Sequence, residues 1–185
     1  MLNPAMPDEG MDRQDYLTRK FGGADAASQV YGRIAEAGKA AGLDMRLDDI
    51  RRTPETRSAH QVTQALQANP ELAKIVTDYV LGLFQSYFVD GDDISRPTVL
   101  DAAVSAAGGP SGYASRILAE GQYKAAVIQE DQNNRARGLT GVPGFLVGDQ
   151  QFVGGAQPSA VFHRLFDIIV EQSDKHTADQ APSAE

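Results

Sequence analysis

The 185-residue chain holds 42% hydrophobic and 23% charged residues, the balance of a globular protein able to bury a core. Seventeen basic against twenty-five acidic residues give a net charge of −8, which argues against a nucleic-acid partner, because phosphates demand a basic surface. Cysteine is absent, and with it any disulfide, thiolate nucleophile, Cys-x-x-Cys pair or cysteine metal site among these residues.

Asp12, followed by Asp15, predicts a capped helix that stops at Phe21-Gly22-Gly23. A second helix is expected from about Asp25 to Ala41, where Ala27, Val30, Tyr31, Ile34 and Ala37 form one stripe and Gly42 ends it. In "LDMRLDD", Leu43, Met45 and Leu47 alternate with charged residues and predict a short extended piece. After "RRTPETRSAH", Ala59, Val62, Ala65 and Leu66 mark a third helix, closed at Asn69-Pro70 because a residue before proline disfavours helical backbone.

Pro70 suits the first turn of the next and most apolar helix, which carries Ile75, Tyr79, Val80, Leu83, Phe84 and Tyr87 and is expected at the centre of a helical core. "VDGDDIS" reads as an Asp-Gly turn, since its acids lack the twelve-residue spacing of a calcium loop. Ser95 and Pro97 open a helix ending at Gly108-Gly109, and a further one spans about Ala114 to Arg137 with a break near Gly121.

The last part differs. Val142 to Val147 and Gln151 to Val153 predict a hairpin across Gly148-Asp149-Gln150. Pro158 then begins a helix with a broad apolar face of Val161, Phe162, Leu165, Phe166, Ile168 and Ile169. The polar end, residues 173–185, is expected to be a disordered tail.

No apolar run approaches the ~18 residues that cross a bilayer, and the N-terminus lacks the features of a signal peptide, so the cytoplasm is the expected compartment. The three histidines, His60, His163 and His176, are scattered, which predicts no metal site, and His163 reads as a boundary residue. An isolated hairpin is marginal in water. The strand "VPGFLV" is apolar at nearly every position, so one helix cannot cover both its faces. On sheet arithmetic alone, strands are missing.

The segments "LNPAMPDEGMDRQDYLTRKFGG", "RRTPETRSAH", "SYFVDGDDIS" and "GVPGFLVGDQQFVGGAQP" occur in that order and resemble the FrnE-like branch of the DsbA family, over roughly residues 2 to 170. The resemblance implies an α-rich α/β protein: an incomplete thioredoxin-like fold with an inserted all-helical domain. Residues 1–11 would be a remnant of the thioredoxin-like domain, 12–137 the helical insertion, and 138–172 the closing hairpin and helix. The family's opening strand, Cys-x-x-Cys turn, helix and second strand would then lie upstream of Met1.

The implied family activity is thiol–disulfide exchange, with no catalytic residue in this chain, which would be inactive or truncated as given, and no cofactor. Val142-Pro143 matches the family's cis-proline position, whose backbone contacts an extended substrate. His60 matches a family histidine near the active site, and its alternative reading is a capping or surface residue. Glu55-Thr56 stands where Asn-Thr is usual, a tryptophan is lost, and Gly144 follows the proline; these departures favour a non-catalytic binding or assembly module, with a homodimer through an exposed sheet edge. A third reading is a relative of the glutathione-dependent isomerases and transferases. The implied partners are a protein or a glutathione-type thiol, with neither nucleic acid nor membrane.

Overall fold

The computed structural model describes Asn3 and residues 5–139, 141–147 and 151–179. The chain divides into two compact units, Asn3–Gln132 and Asn133–Glu185. The first contains helices α1 (Arg13–Phe21), α2 (Ala24–Ala40), α3 (Arg57–Ala68), α4 (Val76–Phe88), α5 (Pro97–Ala106), α6 (Tyr113–Glu120) and most of α7 (Lys124–Ala136).

Local sequence explains most helix ends. Asp12 caps α1 by accepting from the amides of Gln14 and Asp15, and Gly22 closes it at φ 78°. Asn69, extended ahead of Pro70, ends α3. Gly121 turns left-handed and separates α6 from α7, at the break expected there. Pro70 does not start α4. The Asn69 carbonyl instead takes the amides of Leu72 and Ala73, and a 3₁₀ turn, Ala73–Ile75, leads into α4. This tight turn satisfies backbone groups that Pro70, lacking an N–H, leaves at the junction.

The core of this unit lies among α3, α4, α5 and α6. Val62, Leu66, Tyr79, Leu100, Val104 and Ala114 are sealed from solvent. Two buried phenols satisfy themselves on the same helix: Tyr79 donates to the Ala59 carbonyl at 3.4 Å and Tyr113 to the Ala65 carbonyl at 3.2 Å. The helix expected at the centre, α4, buries Tyr79, Leu83 and Tyr87, but Leu81 and Phe84 on its other side are exposed.

The extended piece expected at Leu43–Leu47 does not form. The Met45 side chain fills the space beside Gly38 of α2, while Leu43 faces solvent, so the alternation reflects a packed loop. Strand pairing occurs elsewhere: β1 (Met11–Asp12) runs antiparallel to β2 (Arg52–Thr53), with Met11 opposite Thr53. Gly10 makes this approach possible. At φ +71° its missing Cβ would stand 2.6 Å from the Thr53 carbonyl oxygen.

The second unit holds β3 (Gly144–Val147), β4 (Gln151–Gly154) and α8 (Ser159–Asp179), with β3 and β4 antiparallel. The expected turn at 148–150 lies outside the described residues. Phe145 pairs with Val153, and its ring meets Phe162 of α8 edge-on at 4.8 Å. Leu146 pairs with Phe152 on the opposite face. Helix α8 continues to Asp179, past the expected start of a tail at 173, because Glu, Gln, Lys and Ala sustain helix beyond the apolar stripe. Residues 180–185 lie outside the described residues.

Candidate functional site

The closing hairpin starts at Val142-Pro143, a cis peptide bond. Val142 is 69% exposed. The Pro143 carbonyl accepts the Gly155 amide at 2.8 Å, which ties the start of β3 to the end of β4. Gly144 has a packing reason. A Cβ there would stand 2.7 Å from Leu139 Cδ2 and 3.0 Å from the Phe152 ring. Gly154, its partner in register, gives the same ring room from the other strand. Two opposed glycines thus make the bed on which Phe152 lies. Leu146 and Phe152 share that face and remain exposed within the unit, as does Val161 on α8.

His60 belongs to the first unit, on α3, and is exposed. Desolvation by the surrounding protein pushes its imidazole below the usual range, opposed by the carboxylates of Glu55, Glu130 and Asp131. His163, on α8, is exposed as well.

Glu55 has an anchoring role. It is buried, and its Oε1 accepts from both the amide and Nε of Arg57, at 2.6 and 2.7 Å. The bond that Arg57 donates to Glu55 is the main influence raising the Arg57 pKa, and Asp8 engages the same guanidinium. Thr56 makes no side-chain cap, so Glu55 supplies the acceptor at the start of α3 and ties the 6–8 loop there through Arg57. Asp93 settles the "VDGDDIS" turn in a similar way, accepting from the Ser95 amide and hydroxyl.

One buried charged residue was not flagged by the sequence. Arg13, at the first position of α1, is only 8% exposed. Its Nη1 donates to the Tyr87 hydroxyl at 2.9 Å and to Thr53 Oγ1 at 3.3 Å, and its guanidinium lies 4.7 Å from the Tyr31 ring centre. Burial pushes the Tyr87 phenol up, with Arg13 pulling it down. Nothing local distinguishes Arg13, because its partners come from α2, β2 and α4.

Among the described residues, no helix is long and apolar enough to cross a membrane, and no three His, Cys, Asp or Glu side chains gather to hold a metal ion. In structure, the chain is similar to a probable DsbA oxidoreductase from Streptomyces coelicolor, with a TM-score of 0.73, 20% identity, and coverage of 100% of this chain and 75% of that one. At that identity the likeness speaks for fold alone. No curated protein matches the chain. The family model for the DSBA-like thioredoxin domain matches residues 2–167, nearly the whole length. The chain therefore belongs to the DSBA-like thioredoxin domain family.

Proposed function

We propose that this chain is a FrnE-like member of the family that recognises thiol- or disulfide-bearing polypeptides in the cytoplasm while supplying no thiol itself. The observation that carries this reading is the uncovered apolar face of the hairpin, Leu146 and Phe152 beside exposed Val142-Pro143, in a sequence without cysteine. Exchange requires a thiolate nucleophile. With no sulfhydryl available, what these residues offer an extended segment is backbone and apolar surface. The test uses the chain as it stands. Insulin reduction and thiol oxidation should stay at background, whereas a reduced, unfolded, cysteine-bearing polypeptide should bind saturably. Val142→Asp should weaken that binding several-fold with an unchanged circular dichroism spectrum. Turnover above background, or no binding, overturns the proposal.

A second reading is supported by the same exposed face: two copies cover it for each other in a homodimer. Light scattering after size exclusion would then report a dimer that Leu146→Asp converts to monomer. A wild-type monomer at all concentrations rejects this reading and leaves polypeptide binding. Glutathione, the partner of related branches, is distinguished by titrating it in place of the polypeptide.

A further inference from the structure

Helix α4 carries an apolar row besides the one that builds the core. Thr77, Leu81, Phe84 and Phe88 recur at spacings of four, three and four, which aligns them along one side of the helix. Leu81 and Phe84 are 57% and 56% exposed, and the Phe84 and Phe88 rings lie 6.3 Å apart. Lys74, exposed in the 3₁₀ turn, precedes Thr77 by three residues and continues the row. This alternation of three and four is the spacing of a seam between two helices.

The charges at the ends of this row are unanswered. A helix C-terminus favours cations, yet the last turn of α4 holds no basic residue, and Asp90 and Asp92 follow it. Their amides donate to the carbonyls of Gln85 and Ser86, at 3.1 and 2.8 Å, so both acids are held at that end. Asp93 is committed to Arg52 and Ser95. Among the described residues, Lys74, Asp90 and Asp92 form no ion pair.

We infer that a second copy of this chain covers the row, the two α4 helices running antiparallel about a twofold axis between Leu81 and Phe84. Leu81 then faces the partner's Phe84, and Thr77 the partner's Phe88. The same register carries Lys74 to the partner's Asp90 and Asp92, and the twofold repeats that contact. A parallel pair would set lysine against lysine and acid against acid, so charge selects the antiparallel arrangement. An unrelated helix would have to reproduce both the seam and this order of charges, whereas a second copy does so by symmetry. One helix pair is small for a specific interface, so the dimer is weak and forms as concentration rises. The contact uses no residue of the hairpin and is independent of what the hairpin face binds.

Sedimentation velocity on the full chain should show monomer passing to dimer with increasing concentration. Phe84→Glu and Leu81→Glu change exposed side chains, so each should leave the circular dichroism spectrum unaltered while weakening the dimer tenfold or more. Lys74→Glu and the double variant Asp90→Lys/Asp92→Lys should each lose the dimer, because like charges then meet. An equimolar mixture of those two chains should regain it as a heterodimer. Leu146→Asp should leave the wild-type association intact. A chain that stays monomeric up to about 1 mM overturns the proposal. So does a charge-swapped mixture that remains monomeric, or a dimer that Leu146→Asp dissolves and Phe84→Glu does not. If Phe84→Glu fails to fold, Leu81→Glu and the charge-swapped mixture decide.

Discussion

Arg13 Nη1 donates to the Tyr87 hydroxyl at 2.9 Å, joining residues 74 positions apart. The same nitrogen reaches Thr53, so one side chain at the start of α1 binds β2 and the end of α4 together. Removing the acceptor strands a buried donor. Tyr87→Phe should therefore cost about 1–3 kcal/mol. Tyr79→Phe, which loses only a long 3.4 Å bond to the Ala59 carbonyl, should cost less. Urea denaturation of both variants checks the ranking; an equal or reversed order contradicts it.

Glu55 holds the start of α3 through the amide and Nε of Arg57. Glu55→Ala should lower stability by about 2 kcal/mol, since no side-chain cap from Thr56 replaces it. Glu55→Gln keeps an acceptor and should lose about half as much. The measurement is again the urea midpoint, with slopes compared to confirm that only stability changes.

Gly109 sits where a side chain has no room. A Cβ there would stand 2.6 Å from Val104 Cγ1 and 2.9 Å from Ile75 Cδ1, both in the core. Gly109→Ala should destabilise the first unit by about 1–3 kcal/mol through overpacking. Gly108, next in line, has open space at its Cβ but φ +90°. Gly108→Ala should cost about 1 kcal/mol by backbone strain without disturbing Val104, a distinction that methyl NMR of Val104 reads directly.

The direction of the His60 shift predicts the sign of a pH dependence of stability. Its folded pKa lies below the unfolded value of 6.5, so the unfolded chain takes up the proton first as pH falls. The contribution is complete above pH 6.5 and is lost as pH falls from there through the folded value. Thermal melts between about pH 7.5 and 5.5 should show this decline, and His60→Asn should flatten it. A profile that the substitution leaves unaltered would show that other groups govern that range.

The helices were legible because their signals are local. Ala59, Val62, Ala65 and Leu66 are buried on α3 as their spacing predicts, and Asp12, Gly22, Asn69 and Gly121 stop or start helices by their own backbone preferences. The extended reading of Leu43–Leu47 failed for a related reason. A three-residue alternation cannot distinguish a strand from a loop whose one methionine packs into a glycine notch. At the hairpin, Gly144 read as an anomaly until the Phe152 ring, eight residues on and across the ladder, was seen to occupy its place.

Spacing and end-signals therefore settled where most of the chain coils, and the ordered motifs pointed to the family whose model matches residues 2–167. Only three-dimensional packing decided that Arg13 would be buried beneath Tyr31 and Tyr87, that Glu55 would replace a cap, and which face of the hairpin α8 would cover. The reason is the range of the forces. Backbone torsions and helical period act within a few residues, whereas desolvation and ring contacts depend on which distant segments share the same space.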